Sequence, residues 1–467
     1  MIQHPFGNAI TVGEDRVEVR DAAAIASVAM DKLAYSAVFG SDEERDHARW
    51  LIWEIAQSLG VRPSSIHDLY LARGQGKTGG YTVPAINVRG MAYDTARSIF
   101  RVANKLKAGA FLCEIARSEI AYTDQRPGEY VAVILAAALR EGFRGPVFIQ
   151  GDHFQVSAKK FATDPETEVN AVKQLAREAV DAGFYNIDID TSTLVDLSKP
   201  NLEEQQRVNY ERAVELALVV REIQPPGVQI SIGGEIGEVG TKNSTVEELR
   251  AYMDGFNSTL AKRGGGLEGL SKISVQSGTT HGGVVLPDGS IADVSIDFKT
   301  LETLSKISRD EYGLSGAVQH GASTLPDSAF NHFPKTETAE IHLATNFQTM
   351  LYDNIPDDLR EEIYTWLGGN AKDERKASDT DEQFFYKTRK KALGPFKRRF
   401  WDLPDEIKSK LAKAYDEKFS FLFTQLAIAD TAKLVAQFVK PVEIHRPKPH
   451  PDLRSVEAAP DDADLSD

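Results

Sequence analysis

The chain has 467 residues, 42% of them hydrophobic, which is enough to bury a core larger than that of an average domain. Its 54 Lys and Arg residues face 69 Asp and Glu residues, and the net charge of −15 argues against a broad nucleic-acid-binding surface. A single cysteine, Cys113, excludes an internal disulfide and fits a reducing compartment. Because the sequence contains no run of 18 apolar residues and no signal peptide, we expect a cytoplasmic protein without membrane contact.

Residues 1–78 predict a mainly helical N-terminal extension that ends in a connection. The segment from Ser41 to Glu44 has the pattern of a helix N-cap followed by an acidic first turn. The segment from Gly74 to Gly80 is rich in glycine, but it lacks the first glycine of a phosphate-binding loop and precedes a strand instead of following one. It is therefore interpreted as a flexible connection.

After residue 78, short runs rich in β-branched residues alternate with amphipathic stretches such as 166–182 and 202–223. Several runs are apolar enough to be buried on both faces, as parallel strands are. Eight strand-helix units predict a (β/α)8 TIM barrel over residues 79–350, with a doubly wound open sheet as the competing arrangement. The predicted strands are 82–88, 109–115, 146–152, 184–190, 227–235, 272–278, 314–319 and 338–344.

Three histidines, His153, His281 and His320, stand at the ends of predicted strands, each in a short motif with Gly or Asp. Imidazoles from separate strands converge on one cation if the strands point the same way, as they do at the C-terminal mouth of a barrel. A single histidine is more often a core residue bonded to a carbonyl. Three in matching contexts predict a metal site with a fourth position open to substrate.

The motifs along the chain resemble, in order, those of class II, metal-dependent fructose-bisphosphate aldolases. The resemblance covers roughly residues 65–350, and the ordered series is specific although no single motif is. It rests on Tyr81–Val88, Asp152-His153, Ile189–Ser192, Asn201–Glu204, Gly234–Gly237, His281–Gly283, His320–Ser323 and Ile341–Thr345.

The resemblance implies that His153, His281 and His320 bind a catalytic divalent ion, usually zinc. Zinc takes imidazole nitrogen readily, while magnesium prefers oxygen ligands. Glu235 and Asp190 match family carboxylates that serve an alternative or neighbouring metal position, which leaves room for a second metal or a monovalent cation. The alternative for these two acids is a structural role, accepting hydrogen bonds from loop amides.

The resemblance also implies a catalytic role for Asp152. A metal that holds the carbonyl and hydroxyl oxygens of a ketose phosphate stabilises the enediolate formed on carbon-carbon cleavage, so no lysine imine is needed. Asp152 matches the family acid that exchanges a proton with the hydroxyl on the carbon undergoing cleavage. The alternative is an acid that only orients a neighbouring imidazole.

Substrate-binding positions of the family are partly present. Asn87 matches an amide near the substrate. The positions that match a phosphate-binding shell of glycine amides and hydroxyls are Gly282, Gly321, Ser323 and Thr345.

Three stretches depart from the family pattern. The loop after the fifth strand reads Thr241 to Ser244 where the family has a glutamate, and Glu238 is the nearest substitute. The eighth strand has His342 and Ala344 in place of an amide and a carboxylate, and the second strand reads Glu114 to Ala116. These differences leave open another metal-dependent lyase or isomerase of sugar phosphates, or a sugar-phosphate-binding subunit without catalysis.

The C-terminal part predicts a helical extension over residues 351–440 and a disordered tail over 441–467, which is rich in Pro and Asp. The stretch 387–399 is basic and could reach a phosphate in its own or a partner subunit, although a solvated face explains most such runs. Apolar residues within 404–438 predict a helical face for docking or dimerisation. We expect a homodimer or homotetramer.

The prediction from sequence is therefore a zinc-dependent aldolase of carbohydrate metabolism. It would reversibly cleave a phosphorylated ketose into dihydroxyacetone phosphate and an aldehyde.

Overall fold

A computed structural model describes residues 4–237, 242–278, 286 and 296–449, and the elements below belong to these residues. The strands are β1 (Ile10–Val12), β2 (Val17–Val19), β3 (Val61–Ser64), β4 (Val83–Asn87), β5 (Leu112–Ala116), β6 (Gly145–Gln155), β7 (Asn186–Asp190), β8 (Ser231–Glu235), β9 (Lys272–Val275), β10 (Ala317–Gln319) and β11 (Glu340–Leu343). The α-helices of the first half are α1 (Ala22–Ile25), α2 (Val28–Phe39), α3 (Asp42–Ser58), α4 (His67–Gly74), α5 (Ala92–Leu106), α6 (Arg117–Thr123), α7 (Pro127–Arg140), α8 (Ala158–Thr163) and α9 (Pro165–Ala182). Those of the second half are α10 (Leu202–Ile223), α11 (Val246–Gly264), α12 (Phe298–Tyr312), α13 (Thr345–Asn354), α14 (Asp357–Asn370), α15 (Asp381–Thr388), α16 (Lys397–Trp401), α17 (Asp405–Gln425) and α18 (Ala432–Phe438).

The strands β4 to β11 form a closed parallel barrel. Each pairs with the next along the chain, and β11 pairs back with β4 through registers such as His342 opposite Ala85. The predicted (β/α)8 barrel is confirmed, and each of the eight predicted strand segments overlaps one barrel strand. The competing open sheet is wrong, because the first and last barrel strands are neighbours.

Local sequence signals fix the helices that surround the barrel. Helix α10 occupies the predicted residues and is capped by Asn201, whose side chain accepts from the backbone N–H of Glu204. Helix α3 begins with the expected capping box, in which Ser41 and Glu44 each bond the other's backbone N–H. Among the helices of the described residues, none is both long and apolar enough to span a bilayer.

The N-terminal extension contains strands as well as the predicted helices. Strands β1 and β2 form a small antiparallel pair, and β3 adds to the outside of the barrel by pairing in parallel with the start of β6. These three strands are three or four residues long, and this is too short for a periodic pattern to reveal them in the sequence.

The C-terminal helices cover the barrel on the outside. The apolar face of α17 is buried against the chain itself, with Phe419, Leu422 and Leu426 each at most 1% exposed. This face therefore docks within the chain, which is one of the two roles expected for it. The predicted homodimer or homotetramer stays a prediction.

The segment from residue 441 differs from the disorder expected of it. Trp50 and Trp53 of α3 donate their indole N–H groups to the backbone carbonyls of Arg446 and Ile444, at 2.9 and 2.7 Å. Glu54 accepts from the backbone N–H of Arg446 at 2.9 Å. The composition predicted disorder, but the buried indoles of Trp50 and Trp53 need acceptors, and this extended segment supplies them. Residues 450–467 lie outside the described part of the chain.

Candidate active site

A cleft of about 560 Å³ opens at the C-terminal mouth of the barrel. One wall consists of strand ends and the loops that follow them, and the other belongs to the C-terminal extension. The predicted site residues that line the cleft are Asn87, Asp152, His153, His320, Gly321, Ser323 and Thr345. Of the other predicted site residues, Asp190 and Glu235 lie behind His153, and His281 and Gly282 are outside the described residues.

A bulge in β6 lets two consecutive side chains face the cleft. The pairing of β6 with β7 shifts register between Gly151 and Phe154, and His153 has a left-handed φ of 40°. In a regular strand Asp152 and His153 would point to opposite faces. Glycine is required at 151, because a Cβ there would lie 2.5 Å from the ring of Phe154. The bulge therefore places an acid and an imidazole side by side.

Carboxylates surround the imidazole of His153. Its Nδ1 lies 3.0 Å from Asp190 Oδ2 and 3.4 Å from Glu235 Oε2, and its Nε2 lies 3.8 Å from Asp152 Oδ1. Burial and the neighbouring Asp190 raise the pKa of Glu235 to about 7. Although burial opposes it, Asp152 and Glu235 raise the pKa of His153 well above its usual value. The carboxylates around His153 favour a positive charge at its ring, which either a proton or a metal ion in place of the proton supplies.

His320 follows β10 and completes the described part of the predicted metal site. Its ring centroid lies 4.1 Å from that of His153, and its Nε2 lies 2.9 Å from the hydroxyl of Ser274. Strands β6 and β10 are not neighbours, so closure of the barrel brings these two rings together. The structure therefore brings together the two predicted imidazoles that it describes, and their binding of a metal ion stays a prediction.

The donor atoms fit a divalent cation on either side of His153. One group combines His153 with Asp152 and His320, and the other combines it with Asp190 and Glu235, each with ligand atoms within 4.8 Å of one another. Imidazole nitrogens with carboxylate oxygens form the ligand set that zinc accepts. An ion on the first side would also leave Asp190 to hold the remaining ring nitrogen, as carboxylates commonly do behind metal-bound histidines.

Asp152 is held by a donor on each carboxylate oxygen. Asn87 donates to Oδ2 at 2.8 Å, and the Nδ1 of His342 lies 3.0 Å from Oδ1. Although burial opposes it, His153 and His342 keep the pKa of Asp152 well below its usual range. The side chain is thus a fixed, ionised carboxylate that faces the cleft.

Below the cleft, the barrel interior contains a buried charge network centred on Lys272. Its ammonium group donates to Gln150 at 2.8 Å and to Asp188 at 2.9 Å, and it also contacts Glu340. Although burial opposes both shifts, the pKa of Lys272 rises to about 12 beside Asp188 and Glu340, and Lys272 and His342 lower the pKa of Glu340 to about 2. A permanent ion pair therefore occupies the barrel floor.

The predicted phosphate-binding residues that the structure describes, Gly321, Ser323 and Thr345, lie together near the start of α13. Gly321 has a left-handed φ of 69° that turns the chain after β10, and the hydroxyl of Ser323 accepts from the backbone N–H of Ala344. Thr345 is the first residue of α13, and helix N-termini attract anions through free N–H groups and the helix dipole.

The opposite wall of the cleft is basic. It contains Lys376, Lys387 and Lys390 of the C-terminal extension, and Arg89 follows the first barrel strand. Asp379 pairs with Lys387 at 2.8 Å, and Glu119 accepts from the Nε of Arg89, so acids position two of these cations. Part of the basic stretch that the sequence indicated therefore faces the cleft of its own chain.

Several site residues were missed from the sequence. His342 and Glu114 were noticed only as departures from the family pattern, and Lys272, Asp188 and Glu340 were not singled out. The available signal was a charged or imidazole side chain inside a buried strand, where such residues are seldom found without a partner. The alternation of Glu340 and His342 in β11 also indicated a shared face.

A closed parallel barrel with an imidazole-carboxylate cluster at its C-terminal mouth is the arrangement found in TIM-barrel enzymes. A sequence model of the family "Fructose-bisphosphate aldolase class-II" matches residues 73–399. The chain belongs to this family. No curated protein matches it in sequence.

Solved structures with this fold are distant in sequence. The fructuronate-tagaturonate epimerase from Cohnella laeviribosi is 12% identical, with 90% of this chain and 93% of that chain covered, at a TM-score of 0.56. The fructose-bisphosphate aldolase from Campylobacter jejuni is 16% identical, with 79% and 98% covered, at a TM-score of 0.47. The YdjI aldolase from Escherichia coli K12 is 12% identical, with 79% of this chain and 99% of that chain covered, at a TM-score of 0.47. At such identities the likeness to the epimerase shows the fold alone.

Proposed function

We propose that the protein is a zinc-dependent aldolase that reversibly cleaves a phosphorylated ketose into dihydroxyacetone phosphate and an aldehyde. The observation that carries this proposal is the side-by-side placement of Asp152 and His153, with His320 against them, at the mouth of the barrel. A carboxylate that can move a proton thereby adjoins a ligand set suited to a divalent ion.

His153 and His320 would hold the ion in this proposal, with His281 from the part of the chain that is not described. Asp190 and Glu235 lie against the other nitrogen of His153 and either orient the ring or offer a second position. When bound, the ion acts as a Lewis acid that stabilises negative charge on the carbonyl side of the breaking bond.

Asp152 performs the proton transfer in the proposed reaction. In cleavage its carboxylate accepts the proton of the hydroxyl on one carbon of the breaking bond. That carbon becomes the aldehyde carbonyl, the electron pair of the bond passes to the ketose fragment, and this fragment takes up a proton from solvent to give dihydroxyacetone phosphate, while Asp152 releases its proton to solvent. In condensation the protonated carboxyl returns the proton to the new hydroxyl. An ionised resting state suits the cleavage direction, and the low pKa of Asp152 provides it.

An imine mechanism at Lys272 is disfavoured by the same geometry. An imine requires a neutral amine that substrate can reach, whereas Lys272 is 1% exposed. Its ammonium group donates to Gln150 and Asp188, and its pKa is raised to about 12. The lysine is a structural cation, and carbonyl activation has to come from another group.

The direct test measures triose-phosphate release from a panel of ketose mono- and bisphosphates. Turnover of at least one substrate should disappear with a chelator and return with zinc, because the proposed chemistry needs a Lewis acid. Turnover that persists in thoroughly chelated protein would contradict the proposal.

The basic wall should bind the anionic group of the substrate that lies farther from the metal ligands. The double variant Lys387→Ala, Lys390→Ala should raise KM for a bisphosphorylated ketose by about 100-fold or more, since it removes two cations and hydrogen bonds to charged groups contribute about 1.5–3 kcal/mol each. Steady-state kinetics with a bisphosphate and a monophosphate would measure this effect.

The matched control is Lys372→Ala, because Lys372 is an exposed lysine of the same extension that does not line the cleft. It should leave KM unchanged. An equal KM for the double variant and the control would show that the basic wall does not bind the substrate.

A second candidate is a metal-dependent epimerase or isomerase of anionic keto sugars. The observation in its favour is the eighth strand, where His342 and Ala344 replace the family's amide and carboxylate and so change the substrate contacts. The fructuronate-tagaturonate epimerase from Cohnella laeviribosi shares this fold. Exchange of a substrate proton with solvent, or formation of an epimer, without triose-phosphate release would favour this candidate.

A further inference from the structure

We propose that His342 is a positioning residue that fixes the orientation of the Asp152 carboxylate for proton transfer. This inference rests on the proposed function, in which Asp152 is the proton-transfer group. His342 is 4% exposed and lies at the end of β11, where it faces the cleft. The family resemblance assigns no role to His342, because the family has an amide side chain at this position.

The first observation is that two donors hold the carboxylate at opposite oxygens. Asn87 donates to Oδ2 at 2.8 Å, and His342 Nδ1 approaches Oδ1 at 3.0 Å. Asn87 also donates to Glu119 at 3.0 Å, so its amide is itself held in place. A carboxylate with a donor on each oxygen cannot rotate without losing a hydrogen bond.

The second observation is that His342 is anchored from the barrel floor. Its Nε2 lies 2.8 Å from Glu340 Oε1, and Glu340 also contacts Tyr70, Gln150 and Lys272. These contacts hold Glu340, and Glu340 holds the plane of the imidazole. The position of Asp152 is therefore connected, through one imidazole, to the buried charge network around Lys272.

The third observation is the packing of the imidazole against the candidate metal ligands. The centroid of His342 lies 4.0 Å from that of His320, and 6.4 Å from that of His153. The ring thus fills the space between the proton-transfer carboxylate and the imidazole cluster. An apolar side chain of similar volume would remove the contact with Oδ1, and Asp152 could then turn away from the substrate.

Groups that hold a catalytic side chain are commonly worth about 10- to 100-fold in activity. We therefore expect His342→Leu to lower kcat by about this factor while KM for the best substrate stays nearly constant, because Asp152 is needed for the chemical step and contributes little to binding. His342→Asn should recover most of the loss, since its amide N–H lies close to where the Nδ1 of the imidazole was.

A double-mutant cycle separates positioning from a general structural role. Asp152→Asn alone should remove most turnover, and adding His342→Leu to Asp152→Asn should cause little further loss, because His342 acts through a carboxylate that is no longer present. Multiplicative losses in the double variant would overturn the proposal, as would full activity of His342→Leu.

Two controls keep this result distinct from failure of the proposed function. The His342 variants should bind zinc with the wild-type stoichiometry, measured on purified protein, and loss of zinc in His342→Leu would assign His342 to metal binding instead and overturn the inference. If Asp152→Asn retained wild-type rates while His342→Leu lost them, the role of Asp152 would be wrong and His342 would not act through it.

Discussion

His153→Ala and His320→Ala are each expected to abolish stoichiometric binding of zinc. His153 belongs to both candidate ligand groups, and its ring centroid lies 4.1 Å from that of His320, so either substitution removes an imidazole ligand from the group that contains both histidines. Metal content of purified protein is the first measurement. The second is the rise in melting temperature on adding zinc, since a ligand at 1,000 times its Kd stabilises the folded state by about 4 kcal/mol.

The matched control is His332→Ala, which removes an exposed histidine that does not line the cleft. It should keep the zinc content and the full rise in melting temperature. Retention of one zinc per chain by both His153→Ala and His320→Ala would place the ion elsewhere and remove the basis of the proposed Lewis-acid chemistry. Because neither measurement uses turnover, the result does not depend on which ketose is the substrate.

The barrel could be predicted from the sequence because its signals are local. Each strand is a short β-branched run, and helices such as α10 begin at a recognisable cap, here Asn201. The ordered motifs also assigned Asp152, His153 and His320 to one end of the barrel, and in the structure all three line the same cleft.

The charge network could not be predicted because it depends on closure of the ring. Asp188, Lys272 and Glu340 lie on three different strands, and nothing in the local sequence of one strand indicates the charge on another. The bulge that turns both Asp152 and His153 to the cleft was also missed. Strand alternation predicts opposite faces for them, and only the steric demand of Phe154 on Gly151 shows why the register shifts.

Lys272→Met is expected to lower the free energy of unfolding by about 3–5 kcal/mol, the usual cost of removing one partner from a buried ion pair. Methionine fills a similar volume, but it leaves Asp188 and Glu340 without the ammonium group that lies 2.9 Å from Asp188. Lys272 and Glu340 are each at most 1% exposed, so water cannot solvate the carboxylates that lose their cation. Denaturant unfolding followed by circular dichroism would measure the difference.

Lys299→Met provides the comparison, because Lys299 is 81% exposed and pairs with Glu302 at 2.9 Å on the surface. Exposed pairs contribute about 0–1 kcal/mol, so this variant should unfold close to the wild-type midpoint. Adding Asp188→Asn to Lys272→Met should restore part of the loss, since one uncompensated carboxylate is then removed. Equal stability of Lys272→Met and Lys299→Met would mean that the buried ammonium group does not offset the carboxylates around it. Partial recovery in the double variant would show that the stability of the barrel interior depends on the balance of charge among Lys272, Asp188 and Glu340.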